Sequence, residues 1–206
     1  WQTSRQTHSG CASDTRAVAS FTVVYDACVL YPAPLRDLLM RIAIAGVVRA
    51  RWSEHILDEM VTAILSQRPD LDRAALDRTR GRMCTAVPDC LITGFEQLIP
   101  GISLPDSGDA HVVAAAIRAG AQAIVTFNLR DFPDHDLERW NMEAKHPDEF
   151  VLDSIDLAPG LIVQCVTEQA AALTHPVQTT EDVLETLRCG GLVRSVAALR
   201  DLMRTT

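Results

Sequence analysis

Three acidic residues stand where strands or helices expose their ends, and a fourth, Glu59, lies inside a helical stretch where position alone does not select it. Asp26 directly follows the β-branched and aromatic run 21–25 (FTVVY), and Asp109 closes Asp106-Ser107-Gly108-Asp109 ahead of a strongly apolar stretch. Asp131 lies just past residues 123–126 (AIVT), and Glu59 lies within residues 52–60 (WSEHILDEM). Carboxylates gathered at one point repel each other and take up protons unless a cation sits among them. A donor set of hard oxygens selects Mg²⁺ or Mn²⁺ over zinc. The chemistry that suits such a cluster is phosphodiester hydrolysis. The cation lowers the pKa of a water and offsets charge on the phosphate, so no protein nucleophile is needed. No Ser-His-Asp or Cys-His pattern competes with this reading. His55 and His111 are the nearest candidates for an acid or base, although a lone helix histidine is more often structural. Arg51 and Arg130, beside the acidic motifs, are candidates for holding phosphate, against the ordinary reading of solvated surface charge.

Each acid also has a plain structural reading. Asp106 and Asp109 fit a helix N-cap and first turn. Asp26 and Asp131 fit turns. Glu59 cannot be chosen by periodicity, because Asp58 and Glu59 fall on opposite flanks of the stripe formed by Ile56, Leu57, Met60, Val61 and Ile64.

The elements that must position these acids follow from local pattern. Residues 21–25 read as a central strand, and residues 35–48 after Pro32 and Pro34 as a helix. Ser53 is suited to cap a helix over 54–67 that Pro69 stops. An Arg-rich helix over 71–83 and a brief strand over 90–93 follow. A helix over 110–119 ends at Gly120 and leads to a strand over 123–126. Strands joined through helices imply parallel pairing with right-handed crossovers, hence an α/β sandwich around a central parallel sheet. The carboxyl ends of such strands form one edge, which is where ligands bind. Residues 1–19 are polar and aperiodic and read as a disordered leader. Residues 20–150 read as the α/β domain. Residues 151–206 read as a helical C-terminal extension with helices over 161–173, 181–188 and 196–203 and no further strand; the polar stretch 140–148 shows no clear period.

Bulk composition constrains the class. The chain has 206 residues, 48% hydrophobic, enough to fill one α/β core with an appendage. No apolar run approaches the roughly 18–20 residues a membrane helix needs, so no membrane association is expected. No secretory signal pattern is evident, and a cytoplasmic protein is expected. The six cysteines (11, 28, 84, 90, 165 and 189) show no C-x-x-C pair, which suits free thiols in a reducing compartment better than structural zinc. Net charge is −8, on its face unfavourable for nucleic acid. The charge is uneven, however. Residues 36–82 hold nine Arg against seven acids, whereas 83–156 hold four basic residues against thirteen acids. An acidic segment that binds a cation changes the field a phosphate meets, so net charge does not decide the partner.

Three segments in order, residues 21–30 (FTVVYDACVL), 52–60 (WSEHILDEM) and 106–132 (DSGDAHVVAAAIRAGAQAIVTFNLRDF), resemble the PIN domain, the nuclease domain of VapC-type toxins. The likeness covers roughly residues 21–150. His146-Pro147-Asp148-Glu149-Phe150 and the helical tail resemble the extension of one VapC-like branch. The resemblance implies Asp26, Glu59 and Asp109 as metal-binding catalytic acids and Asp131 as the more variable fourth. It implies Mg²⁺ or Mn²⁺ as cofactor, RNA as substrate, a small antitoxin protein as partner, and a homodimer. Thr126 and Ser53 match positions that support the carboxylates by hydrogen bonds. Asn128 departs from the pattern, since many members carry Asp there, and Cys28 stands where a small polar residue is common. The expectation is therefore a metal-dependent endoribonuclease of a toxin–antitoxin pair. The alternative is a PIN fold that grips RNA or protein but cleaves poorly, with a phosphatase of small esters as a third reading.

Overall fold

A computed structural model of the chain describes residues 21–205. The expected leader over residues 1–19 lies outside the described residues.

Strand β1 (Thr22–Tyr25) forms where the β-branched run predicted it and is buried on both faces. Asp26 caps the single turn α1 (Ala27–Leu30), and α2 (Ala33–Ile44) follows Pro32. The helix expected to run to residue 48 stops four residues short. Gly46, at φ +74°, turns the chain, and β2 (Arg49–Ser53) begins. The sequence reading missed this strand because Ala50 and Trp52 are buried while Arg49 and Arg51 alternate with them, which hides a strand inside a basic stretch. Ser53 Oγ accepts the Ile56 N–H at 3.2 Å and caps α3 (Glu54–Gln67), as expected. Helix α4 (Arg73–Ala86) and the short β3 (Leu91–Ile92) come next. A 3₁₀ turn over Ser107–Asp109 opens α5 (Ala110–Ala119). Gly120 ends α5 at φ +61°, a left-handed conformation that glycine adopts without a Cβ clash. Strand β4 (Ala123–Val125) then enters the core.

A second correction falls on the polar stretch after α6 (Asp134–Leu137). Residues Glu143–Lys145 form β5, paired in parallel with β4. Its polarity suits an edge strand, which needs ladder partners on one side only. The extension holds four helices rather than three: α7 (Pro147–Leu157), α8 (Pro159–Ala172), α9 (Thr180–Cys189) and α10 (Val193–Thr205). Helix α7 runs through the expected boundary at residue 150.

All five strands are parallel, in the order β3-β2-β1-β4-β5. The chain leaves β1 toward β2 and β3, then crosses back through α5 to β4 on the other side of β1. The β1–β4 border is therefore the point where the winding reverses, and a crevice opens beyond the strand ends there. Asp26 sits on that border, its N–H donating to Val125 O at 3.1 Å. Helices cover both sheet faces, giving the expected α/β sandwich. Tyr25 faces α2, its hydroxyl reaching Leu39 O at 3.3 Å, and meets Phe150 of α7 edge-on at 5.8 Å.

The helical extension shares this core. Leu184, Leu187, Val196 and Leu199 belong to the same buried cluster as Val24 and Ile124. Asp148 joins two of its helices. It lies in the first turn of α7, yet its carboxylate accepts the Arg194 N–H at 3.0 Å, the Ser195 N–H at 2.8 Å and the Ser195 hydroxyl at 2.7 Å. These amides are in the first turn of α10, where backbone donors lack intrahelical partners. Leu192, just before α10, has no polar side chain to serve them, so α7 supplies the cap.

Among the described residues, Cys28, Cys84, Cys90, Cys165 and Cys189 are free thiols, in line with their spacing. No described helix is long and apolar enough to cross a membrane.

Candidate active site

The loop after β1 and the loop after β4 are tied together by side chains. Asp26, 4% exposed, accepts the Ala27 N–H at 2.6 Å with Oδ1 and the Thr126 hydroxyl at 2.7 Å with Oδ2. The Cys28 thiol donates to the same Oδ2 at 3.1 Å. Burial, the neighbouring Asp26 charge and the hydrogen bond to Asp26 outweigh the opposing hydrogen bonds from Thr126 and Phe127 and push that thiol up to about 12, so it stays protonated and acts as a donor. Phe127 N–H in turn donates to Cys28 Sγ at 3.2 Å, and Asn128 N–H donates to Thr126 Oγ1 at 3.0 Å. Thr126 thus supports the carboxylate as its position implied. Ser53 serves as the cap of α3 instead. Cys28, noted only as a departure from the pattern, occupies a hydrogen-bonding post.

Glu59, Asp109, Cys28 and Asn128 line one open groove of about 430 Å³, together with Ala27 and Tyr31. Asp26 lies beneath it, next to Cys28. Asp109 carries the electrostatic signature of the cluster. Burial, followed by the charges of Asp26, Asp106, Asp131 and Glu59, raises it to about 6. Asp131, half-buried in the turn Leu129–Asp131, therefore acts on the site through its charge and is not in the groove lining. Asp106 caps the 3₁₀ turn by accepting Gly108 N–H at 2.8 Å. Arg51 sits beside Cys90, and Arg130 is exposed in the turn after β4; neither lines the groove.

The ambiguity between Asp58 and Glu59 resolves by tertiary contact. Asp58 pairs with Arg80 at 2.5 Å, and Glu54 pairs with the same guanidinium, on the side of α3 that meets α4. Glu59 points the other way, to His111 Nε2 at 2.9 Å. His55, one turn before Glu59, stacks on His111 with ring centroids 3.9 Å apart. The sequence reading weighed the two histidines singly. The i, i+4 spacing of His55 and Glu59 was the available signal, and the approach of His111 from α5 was not.

The extension touches the site loop. Phe127 meets His146 edge-on at 5.2 Å. A Cβ on Gly191, in the α9–α10 turn, would lie 3.4 Å from Phe127 Cε1. Gly191 has φ +101°, a conformation that L side chains rarely adopt. Gly191→Ala is therefore expected to lower stability by about 1–3 kcal/mol, the cost of a non-glycine residue in such a conformation. Urea unfolding of the variant checks this, and an unchanged midpoint would remove the strain argument.

The sequence comparisons agree with this architecture. A sequence profile described as "PIN domain" matches residues 22–130, just over half of the chain, and the chain belongs to that family. A profile described as "VapC50 C-terminal domain" matches residues 147–201, beginning at the first residue of α7. The chain is similar to the "Putative ribonuclease VapC50" of Mycobacterium tuberculosis, at 36% identity over 107 residues, 50% of this chain and 63% of that protein. The match thus spans less than two thirds of the relative's length. No solved structure matches.

Proposed function

We propose that the protein is a metal-dependent endoribonuclease of the VapC toxin type. In this reading the elements from β1 to β5 form the nuclease domain, and helices α7 to α10 form its extension. The observation that carries the reading is the convergence of Asp26, Glu59 and Asp109, with Asp131 nearby, at the reversal point of the sheet. No described cationic side chain lines the groove, and burial together with the four neighbouring carboxylates raises Asp109. An arrangement of this kind is stabilised by a cation, and oxygen donors fit Mg²⁺ or Mn²⁺.

When bound, such a cation supplies an acidified water and offsets charge on the phosphate. The chain's own contribution is placement. Thr126 and Cys28 fix Asp26, so one oxygen pair is preset without side-chain reorganisation. Asp109 is held by the 3₁₀ turn at the start of α5, and Glu59 approaches from α3. An RNA substrate, a small antitoxin partner and a homodimer follow from the family likeness.

The pair on α3 gives a selective test. With structured RNA and Mg²⁺ or Mn²⁺, Glu59→Gln is expected to lose most metal-dependent cleavage. Asp58→Asn is expected to stay within about twofold of wild type, because an exposed ion pair contributes little. Equal loss in both variants would place the site elsewhere. RNA binding without cleavage, by wild type and variants alike, would favour the binding-module reading, for which Asn128 in the groove is the structural motive.

A further inference from the structure

We propose that His55, Glu59 and His111 form a second cation site, one that takes a borderline transition metal of the zinc class and shares Glu59 with the magnesium set. Each residue offers one ligand atom, and these atoms lie within 4.8 Å of one another. Both imidazoles face the same oxygen: His111 Nε2 lies 2.9 Å and His55 Nε2 3.9 Å from Glu59 Oε1. Two elements build the set. Helix α3 contributes His55 and Glu59 at i, i+4, which places them on one face. Helix α5 contributes His111 from its first turn.

His111 is 2% exposed, and its Nδ1 finds no hydrogen-bond partner among the described residues. All the polar engagement of this buried ring therefore passes through Nε2, which aims at Glu59. Two imidazole nitrogens and one carboxylate oxygen match the three-ligand set of open zinc sites, in which water completes the tetrahedron. Bonds of about 2.0–2.1 Å require ligand atoms roughly 3.3 Å apart. The side chain of His55 is 55% exposed and so is free to close the remaining distance. Nitrogen donors set this site apart from the oxygen cluster around Asp26 and Asp109: imidazole suits zinc and its neighbours, whereas carboxylates suit magnesium. Because Glu59 belongs to both sets, a zinc-class ion held by the histidines takes a ligand from the proposed catalytic site. Inhibition by zinc follows, and that consequence rests on the nuclease reading; the binding itself does not.

The test is calorimetric titration of Zn²⁺ into the reduced 206-residue chain in excess Mg²⁺, with wild type, His55→Ala and His111→Ala compared. His55→Ala carries the result if the buried His111 variant fails to fold. Removal of one ligand is expected to weaken zinc binding by about 10- to 100-fold or more. X-ray absorption of the zinc-loaded protein is expected to show nitrogen and oxygen neighbours and no sulfur at about 2.3 Å. Unchanged affinity in His55→Ala, or sulfur in the zinc coordination shell, overturns the proposal. Zinc inhibition of RNA cleavage, expressed against each variant's own zinc-free rate, is expected to weaken in His55→Ala by the same factor. Absence of zinc-free, Mg²⁺-dependent cleavage by wild type would instead count against the nuclease reading and leave the binding result standing.

Discussion

Asp26→Asn is expected to lower metal-dependent RNA cleavage by about two to three orders of magnitude, the loss typical when one preorganised electrostatic contact to a reacting centre is removed. The fold should survive the change. The amide oxygen can still accept the Ala27 N–H, and the Thr126 hydroxyl has a lone pair to offer the new amide donor. The Cys28 thiol keeps Thr126 Oγ1 as a neighbour at 3.3 Å. Stability should move opposite to activity. One negative charge leaves the set that burdens Asp109, so the cation-free variant is expected to melt above the cation-free wild type. Added Mg²⁺ should then raise the wild-type midpoint, because a ligand that binds only the native state stabilises it. It should raise the variant's midpoint little. Equal cleavage by both proteins, or equal stabilisation of both by Mg²⁺, would sink the assignment of Asp26.

Why some of this was readable from the sequence and some was not has a physical basis. Strand β1 and helix α5 announce themselves because they are buried, so their sequences are nearly uniform in hydrophobicity. Asp26 and Asp109 interrupt that uniformity at an element end, which is why they could be selected. Strand β2 was missed because Arg49 and Arg51 share it with buried Ala50 and Trp52. Strand β5 was missed because an edge strand three residues long needs no apolar pattern. Helix α7, opening on Pro147 with Asp148 and Glu149, begins at the end of the stretch 140–148 that shows no period and fills the gap before the helix expected from residue 161.

The choice of Glu59 over Asp58 depended on family likeness, since a helix wheel contains no information about neighbouring elements. Arg80 of α4 takes one flank of α3, and His111 of α5 takes the other. The stacking of His55 on His111 joins residues 56 positions apart, and the approach of the Gly191 backbone to Phe127 joins residues 64 apart. Pairings of that range come from topology, which local pattern does not encode.

The largest stability effect is expected at Asp148, within the motif that first marked the extension. Asp148→Ala removes three hydrogen bonds and leaves two first-turn amides of α10 without a partner. The expected cost is about 2–3 kcal/mol, combining a lost helix cap with a lost charge-assisted interaction. Burial alone would raise the acid. The Ser195 amide and hydroxyl, the Arg194 amide and the His146 charge outweigh it and hold Asp148 below the usual carboxylate range. Its folded-state pKa is thus depressed, so its contribution is complete above the unfolded value of about 3.9 and is lost as pH falls below it. In urea unfolding, the gap between wild type and Asp148→Ala should be widest near neutral pH and should narrow in acid. A gap independent of pH would mean that the alanine acts through packing alone. The consequence reaches the groove. Asp148, which caps α10, donates its N–H to His146; that ring meets Phe127 edge-on, the Phe127 N–H holds Cys28, and the Cys28 thiol holds Asp26. Loosening the α10 cap should therefore lower the temperature at which cleavage fails before the sheet itself unfolds. Loss of activity and of the sheet's circular-dichroism signal at one temperature would show that the extension does not support the site through this chain of contacts.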